Sequence, residues 1–248
     1  HRCKIAAFFV FGNTEFTVKI TAVSGAAALR LPDGRVFETV ERVGNRHAER
    51  LLDQVAALLQ EAGCSRREIG LVAFGAGPGS FTGLRVACGT AQGVAWALQI
   101  DTVPVSNLEA LACRAQKALA LPKGTRIAVL NDARMNECYA ALYEADPEGL
   151  PVTIEEAKLV KPADAPDWVR ENGAAVVAGS AAAAYPEELK LPDDVRLYPE
   201  TADAVDMLEI AFAAYQNGKT VPPALAAPLY VRDRVALTSE ERRRGEKL

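Results

Sequence analysis

The stretch Gly75-Ala-Gly-Pro-Gly-Ser-Phe-Thr-Gly-Leu-Arg85 decides the fold, because it joins a strand to a helix through a glycine-rich turn. The short apolar run at 69–74 is typical of a buried strand, and the small-residue run at 82–98 predicts a helix. Ser80 or Thr82 can cap the first N–H groups of that helix. Exposed N–H groups at the start of a helix form a natural site for an anion.

The turn departs from both common phosphate-binding fingerprints. A dinucleotide-binding turn needs glycine where Ser80 stands, and a P-loop needs Lys-Ser or Lys-Thr where Leu84 and Arg85 stand. Two interpretations therefore remain open, a tight connection without ligand and a loop that contacts a nucleotide. The candidate nucleotide contacts are Gly77, Gly79, Ser80, Thr82 and Gly83.

Composition limits the classes of protein to consider. The chain has 248 residues, half of them hydrophobic, and a net charge of −4, which argues against an extended basic surface for nucleic acid. No run approaches the roughly 18 apolar residues of a membrane helix. The five cysteines are widely spaced and contain no Cys-x-x-Cys pair, so we expect reduced thiols in the cytoplasm rather than a disulfide framework or a zinc cluster.

Two helices carry further signals. Apolar residues recur at helical spacing from Leu51 to Ala62, and Gly63 follows as a stop. In the helix at 82–98, Gly89, Gly93 and Ala97 form a small-residue ridge at spacing i, i+4, i+8. Glycine inside a helix costs about 1 kcal/mol relative to alanine, so the ridge predicts that another backbone approaches closely. That neighbour is either internal or part of a partner protein.

The segment Gly77-Pro-Gly-Ser-Phe-Thr-Gly-Leu-Arg85 resembles the signature of the TsaB (YeaZ) family. Four other segments resemble the same family in the same order. They are His47-Ala-Glu-Arg-Leu-Leu52, Val105-Ser-Asn-Leu-Glu-Ala-Leu-Ala112, Asp132-Ala-Arg134 with Glu137 and Tyr139, and Pro228-Leu-Tyr-Val-Arg232. The resemblance is dense between about positions 45 and 145 and thin over the following 80 residues.

The resemblance implies an α/β protein with the two-lobed actin-like ATPase and sugar-kinase fold (ASKHA, RNase H-like), in which mixed sheets are flanked by helices. The expected lobes are residues 1–104 and 105–232, followed by a charged tail at 233–248. Strands predicted at 4–11, 15–23 and 35–42 suit the start of the first lobe. The sequence shows no internal repeat, so any symmetry between the lobes is expected to be structural only.

The resemblance also implies a function. Family members are non-catalytic scaffold subunits that bind and activate a TsaD-type transferase, which forms N6-threonylcarbamoyladenosine (t6A) at position 37 of ANN-decoding tRNAs. A TsaE-type P-loop ATPase joins that assembly, homodimers use the same helices, tRNA is reached only through the complex, and no membrane is involved. The interface residues carried over to this chain are His47, Leu51, Val55, Arg85, Gly89 and Gly93.

Three departures argue against catalysis by this chain. The family's first strand ends in Asp-Thr-Ser, whereas Phe9 or Phe11 stands there, so either the nucleotide function of this lobe is lost or this terminus is atypical. The paired metal-binding histidines of the sister transferase correspond to Asn107 and Leu111, which predicts no metal site. Ser80 lacks the Gly-x-Ser-x-Gly elbow of a hydrolase.

Some alternatives stay open at this stage. The chain is expected to hold no cofactor of its own, although ATP or ADP could bind in the complex. An ASKHA enzyme, either a kinase or a glycoprotease-like protein of M22 type, is the alternative function, and a paralogue that has left the pathway is a third. Asp132 and Arg134 either bind a ligand or pair with each other to stabilise a turn, and we favour the pairing. Arg85 can hold a phosphate or an acidic residue of a partner, and the partner suits the family better.

Overall fold

The first half of the chain forms a five-stranded mixed sheet. The computed structural model describes residues 5–13, 23–42, 47–232 and 244, and for 5–25 and 41–50 it describes no side chains. The elements are β1 (Ile5–Asn13), β2 (Val23–Arg30), β3 (Val36–Arg42), α1 (His47–Glu61), β4 (Ile69–Gly77), α2 (Phe81–Leu98) and β5 (Thr102–Ser106). The strand order is β3-β2-β1-β4-β5, with β1 antiparallel to β2 and parallel to β4.

The second half repeats this topology. Its elements are α3 (Asn107–Ala118), β6 (Arg126–Asp132), β7 (Cys138–Glu144), β8 (Val152–Val160), α4 (Ala165–Glu171), β9 (Val176–Ala178), α5 (Ala181–Ala184), β10 (Arg196–Tyr198) and α6 (Ala204–Gln216). The order β10-β9-β6-β7-β8 is that of the first sheet read from its other end. The expected two-lobed ASKHA fold is therefore confirmed, and its symmetry is structural without a repeat in sequence.

The helices and sheets stack in five layers. Alternating residues of the first sheet, such as Leu29 and Phe74, pack against α1 and α2 on the outer face. The other alternating set, such as Ala28 and Leu71, packs against α6 on the inner face. The inner face of the second sheet packs on α3, and its outer face packs on α4 and α5. Helices α3 and α6 thus lie together between the two sheets.

The predicted lobe boundary at position 104 falls within a strand. The strand β5 (Thr102–Ser106) continues past position 104 in the first sheet, and α6 buries Met207 and Leu208 against that same sheet. The physical reason is that the inner face of the first sheet is apolar, and a helix from the second half of the chain covers it. A division at 104 would cut this strand, and the two ranges 1–104 and 105–232 stay predictions. The predicted tail at 233–248 lies outside the described residues except for Arg244.

Two of the three predicted first-lobe strands correspond to observed ones. The strands expected at 4–11 and 35–42 are β1 and β3. The strand expected at 15–23 falls almost wholly outside the described residues, whereas β2 begins at Val23. The core of β2 is Ala26-Ala-Ala28, and alanine is depleted in strands, so the sequence carried no strand signal there. None of the helices within the described ranges combines the length and apolarity needed to cross a bilayer.

Candidate functional site

The glycine-rich turn lies where β4 meets α2, and we call residues 77–83 the signature loop. Of the two predicted capping residues, Ser80 takes this position, because its Oγ accepts a hydrogen bond from the Gly83 N–H at 3.5 Å. Thr82 lies in the first turn of α2 and is exposed. The hydroxyl of Ser80 therefore has a structural role in starting the helix.

The glycines that precede α2 admit neighbours from the chain itself. A Cβ on Gly75 would lie 2.6 Å from Oδ1 of Asn107, and a Cβ on Gly77, whose φ is +124°, would lie 2.8 Å from the carbonyl oxygen of Leu229. The side-chain amide of Asn107 donates to the Pro78 carbonyl at 3.1 Å. Close internal contacts therefore account for these glycines without a bound phosphate.

The described residues leave a small cavity on one side of the signature loop. The cavity between the loop and the residues near 230 measures about 30 Å³, and Gly79 and Tyr139 are among the residues that line it. Pockets that take small ligands are typically about 300 Å³ or more. A nucleotide contact at this loop stays a prediction.

The outer face of α2 is open. Gly89 and Gly93 are exposed, and a Cβ on either would meet no atom within 4 Å. No described element therefore covers the predicted small-residue ridge, which rules out an internal neighbour within that part of the chain. Arg85 is also exposed; its guanidinium lies 3.8 Å from the ring centre of Phe81, and its Nε donates to the Tyr230 hydroxyl at 3.1 Å.

The predicted interface residues on α1 need correction. Leu51 is fully buried and Val55 is 8% exposed, and both pack in the core beneath the helix together with Phe74. Neither can reach a partner, because their stripe is the one that covers the sheet. Leu52, one position along and about 100° around the helix, is 54% exposed. The helical spacing of the apolar residues from Leu51 onwards already indicated that this stripe faces the sheet. The side chain of His47 lies outside the described residues.

The residues predicted to replace the metal ligands are buried in structural roles. Leu111 is 1% exposed in the core, and Asn107 packs under the signature loop. Oδ1 of Asn107 is buried without a hydrogen-bond partner, which is unusual for a polar atom. Among the described residues, no group of three His, Cys, Asp or Glu side chains lies close enough to hold a metal ion. Phe9 and Phe11 lie in β1, where no side chains are described.

The turn between β6 and β7 is organised by Asp132. Its Oδ1 accepts from the Arg134 N–H and from the Tyr185 hydroxyl, each at 2.7 Å, and its Oδ2 lies 3.4 Å from the Arg134 guanidinium. These contacts favour the turn-stabilising interpretation of Asp132 and Arg134. Burial, together with the hydrogen bond to Asp132, raises the pKa of Tyr185. The role of Tyr185 was missed, because the sequence offers no local signal for it.

Comparisons with known proteins agree with these features. The family model described as TsaD, tRNA N6-adenosine threonylcarbamoyltransferase, matches residues 40–218. The tRNA threonylcarbamoyladenosine biosynthesis protein TsaB of Escherichia coli is 34% identical over 222 residues, which cover 87% of this chain and 94% of that protein. The chain belongs to the TsaB family. The resemblance to the TsaB family is thereby confirmed over most of the chain's length.

Other TsaB relatives extend the match to a solved structure. The Haemophilus influenzae TsaB is 29% identical over 87% of this chain and 92% of its own length. The crystal structure of YeaZ from Pseudomonas aeruginosa superposes with a TM-score of 0.74 at 30% identity, covering 92% of this chain and 99% of that one. The TsaB-type fold therefore includes the part between 145 and 225, where the sequence resemblance was thin.

Proposed function

We propose that this chain acts in t6A biosynthesis as a non-catalytic scaffold subunit, and that it binds and activates a TsaD-type transferase through the outer face of α1 and α2. Membership of the TsaB family supports the pathway. The observation that carries the scaffold role is the exposed glycine ridge of α2, which no described part of the chain covers.

The two lobes differ in their outer helices, and the difference favours the first lobe as the partner-binding side. The topological counterpart of α2 in the second lobe is α5, which has 4 residues, whereas α2 has 18. Among the described residues, the long outer helices therefore belong to the first lobe, where α1 has 15 residues and α2 has 18. Phe81 and Trp96, which are 42% and 68% exposed, lie on the same side of the helix as Arg85 and Gly89. Exposed aromatic and arginine side chains beside a small-residue ridge are typical of protein interfaces.

The remaining parts of the assembly follow from the same proposal. A second copy of this chain uses the same face and so competes with the transferase. A TsaE-type ATPase joins the complex in the cytoplasm. Any ATP or ADP binds to this complex and not to the isolated chain. Because the chain carries a net charge of −4, tRNA is bound through the complex rather than by this subunit alone.

Size-exclusion chromatography with light scattering tests the proposal. We expect a 1:1 species when the chain is mixed with the TsaD-type homologue from the same organism. Leu52→Asp and Arg85→Glu should each abolish that species while the circular dichroism spectrum stays unchanged, because both side chains are exposed. A substitution on the opposite side of the molecule, Arg170→Glu, is the control. A complex that forms equally well with all three variants, or no complex with the unaltered chain, would contradict the proposal.

A further inference from the structure

Residues 229–232 pass directly over the signature loop of the first lobe. The Leu229 N–H donates to the Ala76 carbonyl at 2.7 Å, and the Leu229 carbonyl oxygen occupies the space that a side chain on Gly77 would need. The Tyr230 ring lies 6.1 Å from that of Phe81, and its hydroxyl accepts from Arg85. The segment is therefore fixed to the end of β4 by its backbone and to the start of α2 by the Tyr230 side chain.

The last residue of the segment binds the second lobe. The Arg232 guanidinium donates to the carbonyl oxygens of Ala133 and Arg134 at 3.1 and 3.3 Å, and it forms an ion pair with Glu137. All three acceptors belong to the turn between β6 and β7. The Arg232 side chain is 13% exposed, so these bonds are largely shielded from solvent.

The turn that Arg232 binds has an unusual backbone. Arg134, Met135 and Asn136 have φ values of 61°, 57° and 56°, three consecutive non-glycine residues in the left-handed region. Such conformations are unfavourable for L-residues and persist only where surrounding contacts hold them. Arg232 supplies such contacts, because it bonds the carbonyl groups at the start of this turn.

We propose that residues 229–232 form an interlobe strap that couples the start of α2 to the β6–β7 turn. In this arrangement the strap packs on the signature loop. Tyr230 connects the strap to Arg85 on α2, and Arg232 stabilises the β6–β7 turn with its left-handed residues. A change at the outer face of α2 thus alters the second lobe through the strap. The coupling concerns the chain by itself and does not depend on the proposed partner.

Hydrogen exchange of the full chain, followed by mass spectrometry, tests the coupling. Arg232→Gln should speed exchange by about tenfold or more in the peptide containing Leu229 and in the peptide spanning 131–138, because a charge-assisted hydrogen bond network is lost. Tyr230→Ala alters only the contact with the first lobe, yet it should also speed exchange at 131–138. Peptides from the β4 core should keep their wild-type rates, which separates local release from global unfolding.

A matched control lies on the same hairpin. Arg126 pairs with Glu144 at 3.2 Å at the far end of β6 and β7 and does not contact the strap. Arg126→Gln should leave the exchange of the Leu229 peptide unchanged. Wild-type exchange at 131–138 in the Tyr230→Ala variant would overturn the proposal, because the two contacts would then be independent. Equal effects of Arg126→Gln and Arg232→Gln on the Leu229 peptide would overturn it as well.

Discussion

Replacing Gly89 and Gly93 by alanine should make the isolated chain more stable and the partner complex weaker. Both glycines lie within α2, neither has a positive φ, and an added Cβ meets no atom within 4 Å at either position. The helix propensity difference is about 0.8–1 kcal/mol for each site, so the double variant should gain about 2 kcal/mol. For a chain of this length that gain corresponds to a rise of about 4–8 °C in melting temperature.

The assay has two readouts that should move in opposite directions. Urea denaturation, at a concentration where light scattering shows a monomer, gives the free energy of unfolding, and titration calorimetry gives the affinity for the TsaD-type homologue. We expect a tenfold or larger loss of affinity, because two methyl groups separate backbones that pack closely. Gly149→Ala is the control, since its added Cβ also meets nothing within 4 Å but lies far from α2.

Either of two results would refute this reasoning. A less stable double variant would show that the ridge packs against the chain itself, contrary to the open surface seen here. A more stable variant with unchanged affinity would show that the ridge lies outside the interface. The glycines would then need another explanation.

Three further predictions concern stability. Leu51→Ala should lower the free energy of unfolding by about 2–5 kcal/mol, whereas Leu52→Ala should change it by less than about 0.5 kcal/mol, as measured by urea denaturation. Burial, and to a lesser degree the nearby Glu156, raises the pKa of Glu109. The stability that this carboxyl group contributes is therefore fully present below about pH 4.5, where it is protonated, and is lost as the pH rises through the folded-state pKa. Glu109→Gln should therefore raise the free energy of unfolding at pH 7 in the same assay, and the gain should shrink towards pH 4.5. Arg114→Ala should destabilise the chain by about 1–2 kcal/mol, because the partly buried carboxylates of Asp203 and Asp206 at the start of α6 lose their cation. Added salt should change this loss only slightly.

The elements that could be predicted from the sequence are those whose signals lie in neighbouring residues. The helix predicted at 82–98 is Phe81–Leu98, and the apolar spacing from Leu51 to Ala62 lies on α1, which ends at Glu61. Ser80 caps the first of these helices through its side chain, and a clear apolar stripe marks the second. Caps and periodicity are properties of neighbouring residues, so they can be read without knowing the fold.

Features that depend on distant contacts could not be derived in this way. The packing of α6 on the first sheet joins residues more than a hundred positions apart, and the bond between Arg232 and Ala133 of the β6–β7 turn joins residues 99 positions apart. The segment ending at Arg232 was recognised by resemblance, yet its role required knowing which turn lies opposite. Naming Leu51 as an interface residue was a different kind of error, because the helical spacing of the apolar residues already placed Leu51 on the face that covers the sheet.

The glycines of this chain fall into two groups that the sequence alone does not separate. Gly75 and Gly77 face Asn107 and the Leu229 carbonyl oxygen, and Gly77 also has a positive φ, so internal geometry requires them. Gly89 has an allowed helical backbone and open space around it, so the described part of the chain gives no reason for a glycine there. A residue that lowers helix stability without an internal cause is best explained by a contact outside the chain. This contrast between the glycine-rich turn and the helix that follows it favours a partner on α2 and an internal role for the signature loop.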